Sequence, residues 1–253
     1  MPYAIVQSSL AAPPVEAMVQ AFRALPQLTD HDAATMARDA FGILVQGLEM
    51  ADAGRLLQAL HVAGVEAEMV DEKSLPPLPP PKPCRRAAPL PEHLVACDHL
   101  GREHAIEWAH VILLAAGGVV TREMKHVVKE KVVRRYHGRG GVTEVTKAEH
   151  SDKEQEHVRL VLDIFVDIVP GRYHITAEKF NFAYLGDKLH PARRNNYVAL
   201  VRDCLAHATG AVLNRGATAI GQEAPRLLTY PSKHAFEEEA VWLLWRHFAS
   251  GRH

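Results

Sequence analysis

Along the N-terminal part of the chain the apolar positions switch between a spacing of two and a spacing of three to four, and a breaker marks each switch. Residues 3–6 form a short apolar, partly β-branched run that ends in Gln7, Ser8, Ser9 and the Pro13-Pro14 pair, which predicts a strand and its exit. Pro14 stands where the first turn of a helix tolerates proline, and Val15, Met18, Val19, Phe22 and Leu25 recur at helical spacing up to Pro26. Thr29 then offers an N-cap, Asp30 and Asp32 suit the positive end of a helix, and Ala33, Met36, Ala37 and Ala40 form its apolar stripe before Gly42. A strand over 43–48 follows. A third helix over 50–63 carries Ala53, Leu56, Leu57 and Leu60 and closes at Gly64. In 65–70, Val65, Ala67 and Met69 alternate with Glu66 and Glu68, as a half-buried strand requires. The predicted order over residues 1–72 is β-α-α-β-α-β.

A proline-rich linker spans 73–89. Its LPPLPPPKP stretch predicts an extended, semi-rigid spacer, or a docking peptide through the P-x-x-P spacing of Pro76 with Pro79 and of Pro77 with Pro80. Residues 90–253 read as a second, mostly antiparallel β domain with C-terminal helices. Strands are predicted over 93–98 and, past Gly101, over 104–114 around Trp108. In 158–169 the apolar Val158, Leu160, Leu162, Ile164, Val166 and Ile168 alternate with Arg159, Asp163 and Asp167, a half-solvated strand. Phe180, Phe182 and Tyr184 suggest a further pleated surface, and Tyr197, Leu200, Val201, Cys204 and Leu205 a helix over 195–207. A final helix over 232–247 presents Phe236, Ala240, Leu244 and Phe248. Trp242 and Trp245 widen its apolar face, so it covers either its own chain or a partner.

The fold class expected is therefore α+β, in two small domains. The order of elements in the first domain, with the run LTDHDAATMARDAFGILVQGLEMADAGRLLQALHVAGVEAEMV, resembles the C-terminal domain of the bacterial ribosomal stalk protein, a fold shared with the Clp protease adaptor. The resemblance covers about residues 3–71 and implies a protein-binding domain. In the stalk protein a lysine-bearing helical face recruits translation factors, and in the adaptor the domain holds the N-terminal residue of a substrate. The matching helices here carry Arg38 and Arg55 and no lysine, so the resemblance implies a fold and a general role but no site residue. A ferredoxin-like split βαβ domain shares much of the periodicity. The strands and closing helix of about 90–220 resemble the pleckstrin-homology-like fold of bacterial proteins, which implies peptide or protein binding. Arg102, flanked by Glu103 and Glu107, does not suit the lipid-binding variety.

Composition supports folding rather than disorder, with 47% hydrophobic and 23% charged residues. The formal net charge of -1 supplies no global attraction for nucleic acid, so such a partner would need a local patch. Residues 121–157 provide one candidate as a charged insertion. Lys125, Lys129, Lys131, Arg134, Arg135 and Arg139 fall in its basic first half, and acids dominate the second. Either the halves pair in solvent or the basic half meets an anion such as nucleic acid. Cys84, Cys97 and Cys204 are too few and too scattered for a disulfide framework, which suits a reducing, cytoplasmic compartment. Residues 111–120 are too short an apolar run for a membrane span, and the run from Met1, which lacks a basic segment followed by a long apolar one, is expected to open a folded unit and not a secretory leader.

Chemistry is weakly signalled. Cys97, His99 and His104 match no metal-site spacing, and Asp163 with Asp167 are better explained by strand alternation than as paired carboxylates. G-x-S-x-G, Walker and G-x-G-x-x-G motifs are absent, so no catalytic residue, metal ligand or cofactor is predicted. The function expected is a non-enzymatic interaction or adaptor protein bound to another protein. A nucleic-acid- or ribosome-associated protein using 122–139 and an enzyme of unrecognised type are the alternatives.

Overall fold

The computed structural model describes residues 1–250 except 99, 138–140 and 169–170, and the side chains of 124–154 lie outside the description. The chain is an α+β protein. Its first unit runs β1 (Tyr3–Gln7), α1 (Val15–Phe22), α2 (Asp30–Asp39), β2 (Ile43–Leu48), α3 (Met50–Val62) and β3 (Ala67–Asp71). The three strands form an antiparallel sheet in the order β2-β1-β3. Thr29 caps α2 as its sequence predicts: its Oγ accepts the Asp32 N–H, and the Asp32 carboxylate accepts the Thr29 N–H in return. Met18, Phe22, Leu56 and Leu60 from the helical stripes pack on Ile5 and Leu44, forming a core on one face of this sheet.

The rest of the chain comprises β4 (Pro81–Pro83), β5 (Arg86–Pro89), β6 (His93–Cys97), β7 (Glu103–Glu107), β8 (Val111–His137), β9 (Gly141–Val166), β10 (Gly171–Thr176), α4 (Arg193–His207), β11 (Val212–Leu213), α5 (Arg215–Gly221), β12 (Thr229–Tyr230) and α6 (Lys233–Ser250). Strands β5, β6 and β7 make a small antiparallel meander. The large sheet is ordered β11-β8-β9-β10-β4, with β12 also on β8. Its long ladders are antiparallel, and β4, β11 and β12 add short parallel ones.

Several expectations change once the chain is folded. Residues 73–89 are not a free spacer: Leu75 and Leu78 pack against a buried cluster, and Pro81–Pro83 closes one end of the large sheet. Proline is tolerated there because an outer strand does not need every N–H for a ladder. The 104–114 strand divides into the end of β7, a 3-10 turn at Trp108–His110 and the start of β8. Phe180 and Phe182 are buried in a turn segment that leads into a 3-10 turn at Ala183–Lys188, not in a strand.

The charged insertion of 121–157 is the continuation of β8 and β9, which stay paired from Val111↔Val166 to His137↔Gly141. Strand β10 reaches no further than Val161 and β12 no further than Val119, so beyond these positions the described ribbon has only two strands. From Thr121 to His137 it extends on the order of 55 Å at about 3.3 Å per residue. Its described base is fastened by Arg122–Glu156 at 3.1 Å and by Arg159–Glu123.

Strand β9 is covered on both sides. Leu162 and Ile164 join Tyr197, Leu200 and Val201 of α4 in one core, while Val161 and Phe165 join Phe236, Leu243 and Leu244 of α6 in another. Val6, Phe41 and Ile43 of the first unit enter the second of these cores, so α6 lies between the small sheet and the large one. This corrects the half-solvated reading of 158–169 at its centre, where Asp163 is buried beneath α6, while Arg159 and Asp167 towards the two ends stay exposed.

Candidate functional site

Of the predicted site residues, only Trp242 and Trp245 have described side chains. Lys125, Lys129, Lys131, Arg134 and Arg135 belong to β8, but their side chains, and Arg139 altogether, lie outside the described residues. Trp242, a candidate partner contact, is 0% exposed, because the first unit covers the α6 face that carries it. Trp245 is partly buried against the same core.

The two aspartates are not a catalytic pair. Asp163 is fully buried against Arg172, whereas Asp167 sits at the surface with His110 at 2.9 Å. The Asp163 carboxylate accepts from Arg172 Nε at 2.8 Å and faces His174 Nδ1 at 2.6 Å, and Arg172 Nη1 donates to Glu237 at 2.7 Å. Burial pushes the Arg172 guanidinium down, but the charge of Asp163 and the bonds to Asp163 and Glu237 raise it overall.

Around the third candidate, His99 lies outside the described residues, and no group of three His, Cys, Asp or Glu among the described residues is placed to hold a metal. Cys97 Sγ accepts from Arg86 Nε at 3.2 Å, and burial pushes the Cys84 thiol up to about 11. Asp98 organises the β6–β7 turn by accepting from the N–H groups of Leu100 and Arg102 at 2.9 Å each. Burial pushes its carboxyl up, but the bonds from Arg102, His104 and Leu100 outweigh this and hold it well below the usual range. A folded value below the unfolded one means stability that is present above about pH 4 and lost as pH falls through the folded value. Urea midpoints of wild type and Asp98→Asn, apart at pH 6, are expected to converge as the pH is lowered towards 2.

A different place gathers polar groups, strand edges and open volume. Between the first unit and the large sheet lies a cleft of about 820 Å³. Thr35, Met36 and Asp39 of α2 line one side. Ile43 to Gln46 of β2 form its floor, and Val120 and Arg122 of β8, with Ser232, His234 and Glu238 around the start of α6, complete the far wall. Both strands are edges here. Strand β2 ends the small sheet, and β8 loses its neighbour on one side after Val119, where Pro231 terminates β12. Gln46 Nε2 donates to Glu238 at 3.0 Å across the cleft, and His234 approaches the same carboxylate at 3.2 Å. Burial pushes the Glu238 carboxyl up against the opposing pull of His234 and Gln46.

Comparison with known proteins finds no matching family model, no matching curated protein and no matching solved structure. Function must then be argued from the site. Every buried side-chain polar atom among the described residues has a hydrogen-bond partner, so the interior clusters are satisfied structural networks. The cleft is different in kind, because a strand edge presents a row of backbone donors and acceptors to whatever lies beside it. Its position could not be read from the sequence, since α2, β2, β8 and α6 meet only after residues nearly two hundred positions apart, Gln46 and Glu238, come into contact.

Proposed function

We propose that this chain is a cytoplasmic protein-interaction or adaptor protein whose partner, another protein, docks in the cleft between the first unit and the large sheet. The observation that carries the reading is the cleft's construction from two strand edges, β2 and β8, since an exposed edge recruits a further strand through main-chain hydrogen bonds. The resemblance of the first unit to two protein-binding domains supports the same role. Free Cys84, Cys97 and Cys204 suit a reducing compartment, and no helix among the described residues is long and apolar enough to cross a membrane.

The test is affinity capture by the intact chain from its native lysate, with nuclease and at about 1 M salt, where the Debye length is about 3 Å. A defined protein retained in near-stoichiometric amount under both treatments is the expected result. Loss of all partners on nuclease treatment would overturn the reading in favour of nucleic acid on 122–139. Retention of nothing under any condition would overturn it in favour of a small-molecule role.

A further inference from the structure

We infer that the cleft takes an extended segment of the partner, carrying a lysine or arginine, that adds to the edge of β2 as a fourth strand. The inference rests on the interaction reading above and narrows it to one site and one chemistry.

Geometry sets the form of the occupant. Ile43 to Gln46 line the cleft along the outer side of β2, Ile43 and Leu44 almost buried and Val45 and Gln46 more open, a length of about 13 Å at about 3.3 Å per residue. The volume falls within the range of about 300–1,000 Å³ usual for ligand clefts. One end is interrupted: Gly47 takes the left-handed conformation, φ 74°, so a regular ladder can extend only alongside 43–46. Met36, Val45 and Val120 give the walls apolar patches for alternate side chains of an added strand.

Charge sets the chemistry. Asp39 is the last residue of α2, where the helix dipole disfavours a carboxylate and favours a cation. It has no hydrogen bond or ion pair among the described residues, whereas Arg122, the cation of the opposite wall, already pairs with Glu156. Glu238 is the second acid of the cleft, and burial disfavours its ionised form. A cationic side chain from the added strand would neutralise Asp39 at the helix end, and Glu238, which already faces His234 at 3.2 Å, adds a second negative group to the same cleft.

The test pans displayed random dodecapeptides against the immobilised full chain and maps the enriched peptides by amide shifts of isotope-labelled protein. The expected peptides alternate apolar and polar residues around a Lys or Arg and shift the amides of Leu44, Val45 and Gln46. Their affinity is expected to fall at least tenfold on Asp39→Lys and further on Asp39→Lys with Glu238→Lys, while the circular dichroism stays that of wild type. Replacing the peptide's Lys or Arg by Glu should weaken binding to wild type and restore it to the double variant. Peptides that bind but shift other surfaces, or whose affinity ignores both substitutions, would overturn this site while leaving the interaction reading intact. No enrichment at all would overturn the site, and the lysate capture would then decide the broader reading separately.

Discussion

Replacing Trp242 by Ala is expected to cost about 3–5 kcal/mol, the range for truncating a buried aromatic, and to loosen the first unit from the large sheet. The indole is fully buried, its Nε1 donates to the Gln7 carbonyl at 2.9 Å, and its ring meets Phe41 edge-on at a centroid separation of 5.3 Å. Arg246 lies over the same ring at 5.1 Å and donates to the Ser8 carbonyl. Trp242 thus fastens β1 and the approach to β2, and Arg246 of the same helix fastens the chain after β1. Gly42 is adapted to it: φ is +76°, and a Cβ there would come within 2.9 Å of the indole. Trp242→Phe keeps most of the apolar contact and loses one hydrogen bond, so a smaller loss of about 1 kcal/mol follows. Urea unfolding followed by far-ultraviolet circular dichroism distinguishes the two. A loss below about 1 kcal/mol for Trp242→Ala would show that the units do not depend on this contact.

The same tryptophan marks how far the sequence could be read. Local chemistry specifies the first unit: the Thr29 and Asp32 cap, the stripe through Met18 and Phe22, and the alternation of 65–70 each describe an element that needs only its neighbours in the chain. Elements whose partners are distant were harder. The Pro81–Pro83 strand exists because β10 lies beside it, and nothing in a proline run announces a ladder. The charged residues of 121–157 look like an insertion when read in order, yet pairing of 121–137 with 141–157 makes them one ribbon. Trp242 and Trp245 signal an apolar helix face, but whether that face meets its own chain or another depends on where the first unit packs. The cleft was illegible for the same reason, because its floor and its far wall come from opposite ends of the sequence.

Asp163 carries the second large prediction, and with it the reason to treat the Arg172 cluster as architecture. An alternating strand places Asp163 among polar positions, but α6 covers that side of β9, leaving the carboxylate 0% and the guanidinium 2% exposed. Each charge is tolerable only through the other. The Nη2 of Arg172 approaches Asp163 at 2.6 Å, with Glu237 at 2.7 Å from Nη1 and the Phe165 ring 5.7 Å away. Removing one partner leaves an uncompensated buried charge, so Asp163→Leu is expected to destabilise the protein by about 3–5 kcal/mol. Removing both is expected to cost much less, because an ion pair of this kind roughly offsets its own desolvation and Leu with Met fills a similar volume. Glu237 then retains Lys233 at 3.5 Å, and His174, a quarter exposed, can turn to water. Equilibrium unfolding of Asp163→Leu, Arg172→Met and the double variant completes the cycle. A double variant as unstable as the sum of the singles would mean that the two charges act independently. Recovery of most of the stability would show that the cluster's buried charges serve to satisfy one another.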